Sequence, residues 1–112
     1  MRYLPIIIED IEHRPDQFAI TLGGEQLIFR VFWNPIDEAF FFDLFDNEGA
    51  YIIAGRRIVY ANDMLAGITD DRLPEGVSIY PADPSGEADE IGITFDNFMN
   101  SVKPWIIVEA GE

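Results

Sequence analysis

The chain has 112 residues and a formal net charge of −14, from 21 acidic against 7 basic side chains. That length suits one domain with a single core, and a content of 48% hydrophobic and 13% aromatic residues excludes wholesale disorder. The charge argues against a protein that tracks nucleic-acid phosphates or docks on an anionic membrane, and it permits good solubility, a basic partner, or a path that must repel a passing nucleic acid.

Residues 3–8 are expected to form a first strand at a sheet edge, because Pro5 lacks the amide that an interior ladder uses. The apolar run from Leu4 to Ile8 is too short, and too soon followed by Glu9 and Asp10, for a signal peptide or a membrane span. The single histidine, His13, follows among Glu9, Asp10, Glu12 and Asp16. A transition-metal site usually needs two or more nitrogen or sulfur ligands, and a chain with one histidine and no cysteine does not offer them. No metal or cofactor is therefore assigned, and disulfide and cysteine-nucleophile chemistry are excluded on the same count.

Residues 17–55 form the organising stretch. Three apolar-rich runs, at 17–22, 25–33 and 40–45, are separated by Gly23-Gly24 and by the turn that opens at Asn34-Pro35. Phe18, Ile20 and Leu22 fall on one face; Leu27, Phe29, Val31 and Trp33 share another, with Arg30 on the opposite side. A period of two means strands, and connections this short force antiparallel neighbours. Two glycines can both take positive φ, which suits a two-residue hairpin, and Asp46-Asn47-Glu48-Gly49 reads as a second turn. Asp43 interrupts the third run, so it is expected either to face outward on a half-covered strand or to be a buried acceptor with partners.

A long strand at 50–61 is expected next, with Gly55 marking a bulge or bend and Arg56-Arg57 beyond it. At most one short helical turn fits near 63–67. A strand at 77–80 would end at Pro81, and strands at 91–98 and 105–108 would follow. Between them, residues 81–92 resemble a calcium loop in part, but Ala88 and Thr94 stand where glycine and a bidentate glutamate belong. The fold class is all-β: a small antiparallel barrel or sandwich of about seven short strands in one domain spanning residues 1–112.

Catalytic constellations are missing. Ser78, Ser85 and Ser101 coexist with His13, yet no serine sits in a Gly-x-Ser-x-Gly turn, and there is no phosphate loop, dinucleotide fingerprint or zinc spacing. What stands out is an apolar second face, marked by Phe41, Phe45, Tyr51 and Ile53. A domain this small has too little material to cover both sides of a sheet, so that face implies contact with another chain. The candidate interface is Phe41, Asp43, Phe45, Tyr51, Arg56 and Arg57, held by structural turns at Gly23, Gly24, Asn34, Gly49 and Gly55.

The series Gln17-Phe18, Leu22-Gly23-Gly24, Phe29-Arg30, Trp33-Asn34, Phe42-Asp43-Leu44, Asp46, Gly49 and Ile53-Ala54-Gly55 resembles the baseplate plug family of contractile-tailed bacteriophages over about residues 3–68. That resemblance implies a non-enzymatic β module of the virion tail, made in the host cytoplasm. It would contact baseplate hub and tail-tube proteins in a symmetric assembly of several copies, with no membrane and no specific nucleic-acid partner. The acidic balance would suit a site near a channel through which DNA slides without sticking. Two alternatives stand beside it: an acidic DNA mimic that occupies a nucleic-acid-binding enzyme, and a small ligand-binding β-barrel.

Overall fold

The period-two runs become ladders. The computed structural model describes residues 2–108. It contains β1 (Arg2–Tyr3), β2 (Asp16–Leu22), β3 (Glu25–Asn34), β4 (Ala39–Asp46), β5 (Tyr51–Arg57), β6 (Val77–Ala82) and β7 (Lys103–Val108). A four-stranded sheet has the order β2-β3-β4-β5 and a three-stranded sheet the order β1-β7-β6, with every strand pair antiparallel. The two sheets form a sandwich rather than a closed barrel. The barrel form of the expectation, and with it the ligand-binding barrel, is thereby corrected. No helix occurs among the described residues.

The expected alternation decides what is inside. Leu22 of β2, Leu27, Phe29 and Val31 of β3 and Phe40, Phe42 and Leu44 of β4 enter one cluster with Ile79 and Ile106 of the facing sheet. Phe29, Phe40, Phe42 and Phe98 are at most 1% exposed, so removing each from water contributes about 2–3 kcal/mol. The hairpin glycines take the positive φ that a two-residue connection needs, 55° at Gly23 and 86° at Gly24. At the next turn Asn34 Oδ1 accepts the Ile36 and Asp37 amides, and at the third Asp46 Oδ1 accepts those of Glu48 and Ala50 while Gly49 takes φ 88°.

Four expected strands are corrected, those at 3–8, 50–61, 77–80 and 91–98. The first strand stops at Tyr3. The Leu4 amide still reaches Pro104 O, but Pro5 has no amide to continue the ladder and Ile6 turns back to Leu4 O. The strand expected at 50–61 ends at Arg57, because the chain then crosses between sheets: Ile58 donates to Phe40 O on one side and Ala61 to Pro81 O on the other. Pro81 lies inside β6 opposite Pro104, where the incoming Ala61 uses its carbonyl.

Residues 91–98 are not a strand. Thr94 and Asn97 bond reciprocally, amide to side chain at 2.8 and 3.1 Å, and Asn97 Nδ2 donates to Gly92 O, so the segment coils. Its aromatic residues still go inward, with Phe95 against Trp33 and Phe40 and Phe98 against Phe40, while Ile91 stays exposed. At 63–67 the chain makes hydrogen-bonded turns without a helix, because Asp63 Oδ1 accepts the amides of both Leu65 and Ile79 and ties the loop to the edge of β6. Met64 donates to Ile79 O, so the edge is occupied instead of exposed.

Candidate functional site

On the four-stranded sheet, the side chains that do not enter the core form an outer face. Cross-strand register fixes its rows: Ile28 opposite Phe45, Arg30 opposite Asp43 and Phe32 opposite Phe41 between β3 and β4. The Phe32 and Phe41 rings stack with centroids 6.0 Å apart, and both residues are half-buried. Phe45 packs against Tyr51 at 4.5 Å, and the Arg30 guanidinium lies 5.0 Å from the Phe45 ring centre.

Asp43 resolves the choice left by the sequence by being both things at once: it faces outward and is 7% exposed. Its Oδ2 accepts from Arg30 Nε at 3.0 Å and Nη2 at 2.8 Å, and its Oδ1 accepts the Gly55 amide at 2.7 Å. The β4–β5 register slips between Phe42 and Leu44, with Gly55 at φ 62° on the β5 side. Such a bulge leaves one amide out of the ladder, and the carboxylate takes it up. Arg30 also donates to Tyr51 Oη at 3.0 Å, and the Asp43 hydrogen bond raises the guanidinium pKa above its ordinary value. Buried polar groups without partners are costly, and here each is matched.

The structure therefore brings Phe41, Asp43, Phe45, Tyr51 and Arg57 onto one face, with Arg57 opposite Phe41 at the open edge of β5. Arg56 pairs with the core residue Phe42 and belongs to the other side of the strand. Ile53 also departs from the expected second face: a further slip between Leu44 and Phe45 sets it opposite Leu44 and into the core. Arg30 and Phe32 were missed as members of the face, although their alternation with Leu27, Phe29 and Val31 already placed them on it.

The acidic residues avoid this face. Asp43 is its one carboxylate among the described residues, and Arg30 pairs with it, leaving Arg57 as the net charge. Three other acids lie within strands, and all are terminal: Asp16, Glu25 and Asp46. The remaining described acids are in connections and make a rim. There, Asp70 and Asp46 share Arg72. The Arg72 hydrogen bond holds the Asp70 carboxyl down at about 2, while the Ala50 amide and then Arg72 lower that of Asp46. In the loop once compared with a calcium site, Asp83 accepts the Ser85 and Ala88 amides and the Ser85 hydroxyl, the last being the main cause of its lowered pKa.

Asp10, Glu12 and His13 come together as three exposed side chains, with His13 Nδ1 and Asp10 Oδ1 2.8 Å apart. The histidine thus faces a carboxylate, and the Ser85 hydroxyl faces Asp83.

Comparison with known proteins adds one finding. The model of the family described as cyanophage baseplate Pam3 plug gp18 matches residues 1–109. The chain belongs to this plug family. No curated protein matches it. The match extends well past the stretch that carried the resemblance and takes in the 81–92 loop and β7. Membership makes the chain a component of the phage tail baseplate with other virion proteins as neighbours.

Proposed function

We propose that the chain is a non-catalytic structural plug, made in the host cytoplasm, that acts as one domain and packs against baseplate hub and tail-tube proteins through the outer face of the four-stranded sheet. The observation that carries this reading is the distribution of charge. A chain with 21 acidic residues keeps all but one of its described acids off this face, and that one is neutralised by Arg30. A solvated sheet face has no need of such clearance, whereas a contact surface does, because a carboxylate buried without a partner costs several kcal/mol. Phe41, Phe45 and Tyr51 with Asp43 between them are the proposed contact residues, and Arg57 flanks them; Arg56, on the other side of β5, is not among them.

A virion assembled from genomes encoding Phe41→Ser or Phe45→Ser tests this reading. Phe41→Ser is expected to give a folded, soluble plug that is missing from purified tails; Phe45 is 8% exposed beneath Tyr51 and Arg30, so Phe45→Ser is expected to lose stability as well as incorporation. Normal incorporation of both variants would contradict it.

A further inference from the structure

The partner's chemistry can be taken one step further, on the reading that the outer face is the contact. Among the described residues, Arg14, Arg30 and Arg72 are paired with carboxylates, Arg2 donates to Thr21 O and Lys103 lies over the Tyr3 ring. Arg56 and Arg57 have no such partner; Arg56 belongs to the other side of β5, and Arg57 is exposed at the face's open edge, opposite Phe41. At the two ends of β4, beyond the face, stand the exposed acids Glu38 and Glu48, which also lack a cationic partner among the described residues.

We infer that the face docks a basic protein surface with an apolar centre and one carboxylate, the carboxylate meeting Arg57. The apolar centre matches the half-buried Ile28, Phe32 and Phe41. The surrounding cations match Glu38, Glu48 and the net charge of −14. The carboxylate matches Arg57, whose planar fork favours bidentate recognition. A second copy is a poor occupant because it adds 21 acids and only 7 bases.

The test uses purified hub and tail-tube proteins of the same phage as separate immobilised probes, with the full chain in solution. One probe is expected to bind, with affinity falling about tenfold or more between low and physiological salt, as charge-driven contacts do. Arg57→Glu should weaken binding about tenfold, Arg57→Lys less, and Glu48→Lys should also weaken it. If Arg57→Glu leaves affinity unchanged or tightens it while Phe41→Ser abolishes binding, the carboxylate contact is overturned and the contact face survives. Insensitivity to salt overturns the basic partner. Binding to neither probe overturns both this inference and the hub and tube contacts. Dimers of the chain that Arg57→Glu dissociates in sedimentation would overturn the occupant in favour of a second copy.

Discussion

The outer face of the four-stranded sheet and the loops that form the rim of the sandwich use the same residue type in opposite ways. On the face, Asp43 is held by a guanidinium and by the amide that a bulge leaves free, so its charge is spent inside the protein. On the rim, Asp46 and Asp83 tie turns through backbone amides, and many neighbouring acids stay solvated. The difference shows how a chain with a net charge of −14 can remain soluble and still present a surface on which a protein can sit.

The most severe way to break that arrangement is to remove its centre. Asp43→Ala strands the Arg30 guanidinium and the Gly55 amide, and should cost about 2–4 kcal/mol in urea unfolding, with Asp43→Asn costing less. Next comes the bulge that supplies the amide. Gly55 sits at φ 62° with open space where a Cβ would go, so Gly55→Ala should cost about 1 kcal/mol through backbone strain alone, measurable by the same method. Phe41→Ser sharpens the comparison further. Phe41 is half-buried on the face, so the stability loss should stay within about 1 kcal/mol, while incorporation into tails is lost.

The rim supplies the smallest effect. The folded carboxyl of Asp70 is held at about 2 by Arg72. An unfolded aspartate titrates near about 3.9, so between these values the unfolded chain binds more protons and stability falls as pH falls. Asp70→Asn should therefore flatten the decline in melting temperature between about pH 4 and about pH 2. Arg72 is 40% exposed, so solvent screening keeps the change modest.

The meander was legible because each residue in it obeys a local rule. Alternation set the faces of β2, β3 and β4, and glycines or turn-forming side chains set every connection from Gly23 to Gly49. Asp43 could be singled out, and its two environments named, from its place between Phe42 and Leu44. Its partners could not, since Gly55 reaches it through a register slip that no periodicity records. Ile53 went to the wrong face for the same reason. Residues 91–98 failed differently: Ile91, Ile93 and Phe95 alternate as a strand would, but the reciprocal Thr94 and Asn97 bonds outcompete a ladder, and Phe95 packs onto Trp33 and Phe40 as part of a loop. The acids in the connections look alike in sequence, and a local turn separates two neighbours: Asp70 accepts the amide and guanidinium of Arg72 two residues on, while Asp71 is exposed.

The most direct test is a structure of the assembled baseplate at side-chain resolution. The account predicts a neighbouring virion protein seated over Phe32, Phe41 and Phe45, with Asp43 still bound to Arg30 beneath it and the rim acids outside the apolar contact. A plug whose four-stranded face looks into solvent or an open channel, while its partners bind the acidic rim, would contradict it.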